Sequence, residues 1–177
     1  CILYIISMIL HKKIFDNVFL IKNHLFFDNR GSLVKFYNST EKKTLYFKQF
    51  FVTKNKKKGT IRGFHFQKYP FYETKLVSVI KGRILDIVID IRKNSKTKYQ
   101  KKSTILSEKS PYSLLIGKGF AHGYQTLESD TIVSYLVAAE YKPKHQSGII
   151  YNDPFLNIKW PIKKITISKK DLSFKKI

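Results

Sequence analysis

Four residues could do chemistry in this sequence: His65, Lys75, His122 and Tyr135. His65 lies in Ile61-Arg62-Gly63-Phe64-His65-Phe66-Gln67, where Ile61, Gly63, His65 and Gln67 alternate with Arg62, Phe64 and Phe66. An imidazole between two phenylalanines fits poorly on a purely apolar strand face. One reading is a core or rim histidine bonded to backbone. The sharper one is a general base, because imidazole titrates near neutral pH. Lys75 opens a strand shared with Val77 and Val79, so it either snorkels at the strand end or points into a barrel mouth. His122 shares a face with Phe120, Tyr124 and Thr126, after the glycine-rich turn Gly117-Lys118-Gly119. Tyr135 lies with Val133 and Val137 on the next strand, and a buried tyrosine often only packs and donates one hydrogen bond. Asp171 follows Ser168 at capping-box spacing, which gives it a plain helix-terminus role.

Two histidines on neighbouring strands of a small β protein also raise a metal. Zinc and its relatives need three or four ligands, and the local signature in metal-binding barrels of this type is His-x-His. Here the first motif reads His65-Phe66-Gln67, the second supplies only His122, and nothing fixes Glu73 as a third ligand. The residues favour acid–base chemistry with no metal and no cofactor.

The elements that must position these groups are β-strands. Residues 14–37 read as two or three short strands around a turn at Asp28-Asn29-Arg30-Gly31. The β-branched and aromatic run 44–53 is another strand, followed by the charged loop Lys54-Asn55-Lys56-Lys57-Lys58-Gly59. Strands follow near 60–67, 74–81 and 83–91, the last two joined at Lys81-Gly82 in a tight hairpin. Further strands are expected at 101–107, 112–117, 120–127 and 131–138, the last pair turning at Glu128-Ser129-Asp130. No sustained helical periodicity occurs before residue 160, and Ser168 to Asp171 predicts a short C-terminal helix. Ten or so short strands with turns every 8–12 residues predict one all-β domain, an antiparallel sandwich or barrel.

Composition excludes several classes. With 177 residues, 43% hydrophobic and 15% aromatic, the chain can bury a single core and is not disordered. A net charge of +22 invites a nucleic-acid or membrane partner. Yet only four of the 34 cations are arginines, and the lysines are scattered along the chain rather than clustered. The expected surface is a solvated one with no specific nucleic-acid site. Against that lysine background, Arg30, Arg62 and Arg92 mark places where a planar, bidentate cation is needed. One cysteine excludes an internal disulfide and a cysteine metal site. The opening CILYIISMIL is shorter than a membrane span of about 20 residues and lacks a signal-peptide pattern. Residues 1–7 are expected to be an extension outside the native domain, which then spans 8–177 in a cytoplasmic protein.

The combination of motifs is specific. Lys58-Gly59-Thr60-Ile61-Arg62-Gly63-Phe64-His65-Phe66-Gln67 resembles the RG-x-H-x-Q signature of the dTDP-4-dehydrorhamnose 3,5-epimerase family of cupins. So do Lys75-Leu76-Val77, Asp86 through Arg92, Gly119-Phe120-Ala121-His122-Gly123, Tyr135, Asn152-Asp153-Pro154 and Ile158-Lys159-Trp160-Pro161, in the same order over residues 14–172. Asp28-Asn29-Arg30-Gly31 is similar to the family's Asp-Glu-Arg-Gly turn. The resemblance implies a jelly roll, no metal, a homodimer exchanging N-terminal strands, and epimerisation of a nucleotide-linked 4-keto-6-deoxy sugar. It puts the base on His65, the proton donor from the opposite ring face on Tyr135, and the base-orienting carboxylate on Asp171, with Asp86 as runner-up orienter. Enolate stabilisation and substrate contacts fall on Lys75, Arg62, His122, Arg30 and Lys170. Gln67, which closes the signature, counts among the substrate contacts.

The departures cluster in those contacts. Lys35 stands where the family has a glutamate, Leu136 replaces the lysine after the tyrosine, and Gln146 replaces a late glutamate. Gln49-Phe50-Phe51-Val52-Thr53 stands in place of a Gln-x-Asn followed by a serine. Chemistry is therefore better marked than substrate identity. The competing functions are a 3,4-ketoisomerase of a similar sugar nucleotide and a non-catalytic sugar-binding cupin.

Overall fold

A computed structural model describes residues 9–37 and 46–177; the extension expected at 1–7 and the first residues of the strand expected at 44–53 lie outside them. The order is β1 (Ile9–Phe15), β2 (Val18–Lys22), β3 (His24–Asp28), β4 (Gly31–Lys35), β5 (Gln49–Asn55), β6 (Ile61–Gln67) and β7 (Lys75–Lys81). Then come β8 (Arg83–Asp90), β9 (Lys101–Ser107), β10 (Tyr112–Ile116), β11 (Phe120–Thr126), β12 (Thr131–Val137), β13 (Gln146–Gly148) and α1 (Lys169–Leu172). β1-β2-β10-β7-β12-β5 form one antiparallel sheet and β13-β6-β11-β8-β9 the other, with β3–β4 a separate hairpin. This is the expected all-β jelly roll with a short C-terminal helix.

Period-two alternation builds the interior. Val77, Val79, Leu114, Ile116, Val133, Tyr135 and Val137 from one sheet meet Ile84, Val88, Leu106, Phe120 and Tyr124 from the other. The five-stranded sheet is buried on its outer face too, where Ile61, Phe64, Ile87, Ile89 and Ala121 pack under Ile149, Leu156 and Trp160. That double burial explains the nearly unbroken apolar character of β8.

Two turns join different partners from those expected. Lys81-Gly82 does not close a hairpin: β7 pairs with β10 and β12, while β8 pairs with β11 and β9. The chain crosses from one sheet to the other at Gly82, whose φ is +80° and where a Cβ would fall 2.6 Å from Thr131 Oγ1. Glu128-Ser129-Asp130 likewise carries β11 into β12 of the opposite sheet. β5 also runs further than the charged-loop reading allowed, since Lys54 and Asn55 pair with Ile132 and Thr131.

The C-terminal segment straps the barrel. Ile61 N–H donates to Thr166 O (2.8 Å), Thr166 N–H to Gly59 O (3.1 Å) and Ile150 N–H to Lys175 O (3.1 Å). Ser168 Oγ accepts from Asp171 N–H at 3.0 Å, capping α1. A four-residue helix has no stability of its own, so these contacts hold it. No helix among the described residues is long and apolar enough to cross a membrane.

Candidate active site

The site begins with a bulge. On β6 and β11 His65 faces His122 and Arg62 faces Tyr124, so Gly63 and Phe64 together oppose Gly123. Gly63 has φ +118°, and a Cβ there would lie 2.6 Å from both Gly123 Cα and His122 O. Only glycine permits that approach. The bulge breaks the strict alternation read from the sequence: Phe64 turns to the outer apolar cluster, while Arg62 and His65 both line one cleft.

That cleft, about 390 Å³, lies between the sheets and is large enough for a small ligand. Arg62, His65 and His122 line it from the five-stranded sheet; Gln49, Phe51, Thr53, Lys75 and Tyr135 line it from the other. Asp171 Oδ1 lies 2.9 Å from His65 Nε2, and its Oδ2 accepts from Gly63 N–H at 3.0 Å. Burial alone would raise the Asp171 carboxyl. Hydrogen bonding and charge from His65, with the Gly63 N–H, outweigh it and hold the group below its ordinary value. An ionised Asp171 accepts a hydrogen bond from Nε2–H, which leaves Nδ1 as the basic nitrogen of His65. The same aspartate also serves the helix terminus through its N–H, so its two expected placements coexist.

Tyr135 is buried, stacked on Phe51 with ring centroids 4.9 Å apart, and meets the His122 ring edge-on at 6.2 Å. Burial, reinforced by Tyr124 and Asp86, pushes its phenol well above the ordinary value, so it keeps its proton at neutral pH. Lys75, only 6% exposed, pairs through Nζ with Glu73 Oε1 at 2.5 Å. His122 Nε2 lies 2.7 Å from Asp86 Oδ2, and both residues are buried. Asp86 thus pairs with His122 rather than His65, because β8 lies beside β11 and not beside β6.

Arg62 donates through Nε to Asn55 Oδ1 at 2.8 Å. Lys170 lines a recess adjoining the cleft, shared with Arg62, His65 and Gln146. Its Nζ donates to Gln146 Oε1, which also accepts from Tyr141 OH at 2.7 Å. Two expected contacts are elsewhere. Gln67 is buried behind the cleft, where Nε2 donates to Glu140 O (3.0 Å) and Phe71 O (3.2 Å) and Oε1 accepts from Lys142 N–H (2.8 Å). Arg30 sits at the β3–β4 tip, paired with Asp28 at 2.6 Å, and does not line this chain's cleft. Of the departures, Leu136 packs in the apolar layer outside the six-stranded sheet and Lys35 is exposed.

Thr53, Asn55, Tyr124 and Tyr141 were not singled out from the sequence. The signal for the first two was present: Gln49, Phe51, Thr53 and Asn55 recur at period two on β5, polar groups on an aromatic strand. Among the described residues no three His, Cys, Asp or Glu side chains converge on a possible metal position. Glu73 is engaged by Lys75.

Fold and cleft define a cupin-type jelly roll whose barrel holds an aspartate-paired histidine and a buried tyrosine on facing walls of one cleft. The family description dTDP-4-dehydrorhamnose 3,5-epimerase matches residues 12–177. A dTDP-4-dehydrorhamnose 3,5-epimerase of Methanothermobacter thermautotrophicus is 34% identical over 170 residues, 93% of this chain and 91% of its own. The crystal structure of the Bacillus anthracis epimerase with TDP and PPi bound is 40% identical, with TM-score 0.91, covering 96% of this chain and 99% of that one. The Legionella pneumophila enzyme in complex with dTDP-4-keto-L-rhamnose is 31% identical, with TM-score 0.88, covering 96% and 92%. The chain belongs to the dTDP-4-dehydrorhamnose 3,5-epimerase family.

Proposed function

We propose that the protein is an isomerase that epimerises a nucleotide-linked 4-keto-6-deoxyhexose at carbon 3, carbon 5 or both, in deoxysugar biosynthesis. The substrate is of the dTDP-4-dehydro-6-deoxyglucose type. One observation carries this reading: His65, backed by Asp171 of α1, on one sheet and protonated Tyr135 on the other line a single cleft. Inversion requires proton removal from one face of a carbon and delivery to the other, which two groups on facing walls can do and one group cannot.

The ketone acidifies the hydrogens on both neighbouring carbons. His65 Nδ1 takes one proton, and the C–H electron pair moves into the ring bond as the carbonyl pair moves onto oxygen. Lys75 stabilises that oxyanion, whose charge develops fully only as the proton leaves. Tyr135 then donates its phenolic proton to the opposite face, restoring the ketone with inverted configuration. Exchange with solvent resets both groups. Asp171 offsets the imidazolium charge. Arg62 and Lys170 suit the diphosphate, and His122 contacts the sugar. Gln67 acts through the loops it ties together. The TDP in the Bacillus anthracis structure and the dTDP sugar in that of Legionella pneumophila support a thymidine nucleotide.

The same reading includes a homodimer in a cytoplasmic setting. Supporting the dimer, the β3–β4 hairpin exposes Phe26 (53%), Phe27 (75%) and Leu33 (59%) and carries Arg30 away from its own cleft. Among the described residues β5 is an edge strand of its sheet, and Phe50 and Val52 on it are exposed. Arg30 then reaches the cleft of the second copy.

Incubation with dTDP-4-dehydro-6-deoxyglucose in deuterated water tests the activity. Solvent deuterium should enter carbon 3, carbon 5 or both, with the ketone remaining at carbon 4. No incorporation, or a ketone relocated to carbon 3, overturns the reading; the latter outcome would mark a ketoisomerase.

A further inference from the structure

A carboxylate beside Lys75 needs an explanation. Glu73 and Lys75 both line the cleft, with side chains 16% and 8% exposed, and their charged ends are 2.5 Å apart. Electrostatically the arrangement is costly for an oxyanion site, since a negative charge in contact with Nζ offsets much of the field that Lys75 presents to a developing enolate. A counterion serving only to compensate a buried lysine would do less harm outside the cleft. The other oxygen of Glu73 is only loosely engaged. Gln67, clamped between the 68–74 and 139–142 loops, donates to Glu73 Oε2. That bond is 3.4 Å long, at the weak limit, and a carboxylate has about four acceptor positions. Glu73 therefore keeps acceptor capacity on the cleft wall.

We propose that Glu73 is a substrate-binding residue and that the Glu73–Lys75 pair reads an α-hydroxyketone. Lys75 Nζ donates to the keto oxygen, and Glu73 accepts from the hydroxyl on the adjacent carbon. Those two substrate oxygens are separated by one hydrogen-bond length, as are Nζ and Oε1. This rests on the 4-keto-sugar reading and deepens it. Of the carbons flanking a C4 ketone in a 6-deoxyhexose, only carbon 3 bears a hydroxyl; carbon 5 bears the ring oxygen and the methyl group. The pair therefore fixes which flank of the ring lies on the Glu73 side. It also selects sugars with a free 3-hydroxyl, because a 3-deoxy sugar leaves the carboxylate without a donor.

Binding tests this without turnover. Calorimetry would compare dTDP-6-deoxyglucose, whose carbon-4 hydroxyl oxygen stands in for the keto oxygen and which has no acidified C–H to turn over, with its 3-deoxy analogue, on the wild type, Glu73→Leu and Glu73→Gln. The wild type should prefer the 3-hydroxy sugar roughly 10-fold or more, as expected for one hydrogen bond to a charged group. That preference should fall to within about twofold in Glu73→Leu and be intermediate in Glu73→Gln, which keeps the shape and an acceptor oxygen. A residue that only held Lys75 in place would weaken both ligands alike. An unchanged ratio in both variants, equal wild-type binding of the two sugars, or no binding of either overturns the proposal. A wild type that shows the preference but incorporates no deuterium sinks the epimerase reading and leaves the contact between Glu73 and the 3-hydroxyl standing.

Discussion

Asp171→Asn should lower turnover by roughly 10²–10⁴-fold while leaving the barrel folded, as steady-state kinetics and a thermal melt would show. The carboxamide cannot carry the charge that offsets an imidazolium. Its NH₂ can also donate to His65 Nε2, favouring the tautomer with the proton on Nδ1, where the base needs a lone pair. Asn can still accept from Gly63 N–H, and the cap depends on the backbone N–H of residue 171 donating to Ser168 Oγ. Neither bulge nor helix terminus is lost. Ser168→Ala is the counterpart: about 1 kcal/mol of stability should go with little loss of rate. A near-normal rate in Asp171→Asn would reduce this aspartate to a helix cap. A pH signature accompanies the substitution. Because the folded Asp171 carboxyl is depressed, it stabilises the native state above its ordinary value of 3.8. That contribution disappears as pH falls below 3.8 through the lower folded value, and the Asn variant should lack this part of the acid sensitivity.

Tyr135→Phe should separate proton removal from inversion. The variant keeps the ring stacked on Phe51 and loses only the hydroxyl. His65 can still take a proton and return a deuteron to the same face, so solvent exchange continues. Delivery to the far face loses its general acid, and the rate of inverted product should fall by about 10²–10⁴-fold. NMR in deuterated water reads both quantities in one sample. Normal inversion would assign the donor to another group on the six-stranded wall.

Much of this arrangement was legible in the sequence because strand alternation and motif order are local signals. His65, Lys75, His122 and Tyr135 each stood out against an apolar row, and all four line the cleft. The failures have different causes. A period of two cannot register a bulge, so Arg62 was read on the face opposite His65 until the two-against-one pairing at Gly63 brought them together. Gly82 marks a sharp turn in sequence, but which sheet receives the next strand depends on distant partners such as β10 and β11. Gln67 looked like a contact because it ends the motif. Its burial and three strong loop bonds show it acting one layer behind the cleft. Arg30 carries no local sign of whether it serves its own chain. Asn55 was lost in a lysine-rich run that reads as loop, although its side chain holds Arg62.

The strap formed by the last residues sets an order of events during synthesis. Every strand is complete once Gly148 has left the ribosome, but the aspartate that sets the base's tautomer is still 23 positions behind it. At that point Ile61, Phe64, Ile87 and Ile89 still lack the cover of Ile149, Leu156 and Trp160, and His65 lacks its aspartate. Proteolytic clipping just beyond Thr166 would keep the Ile61–Thr166 bond but remove the Ile150–Lys175 bond and Asp171 together, stripping His65 of its carboxylate.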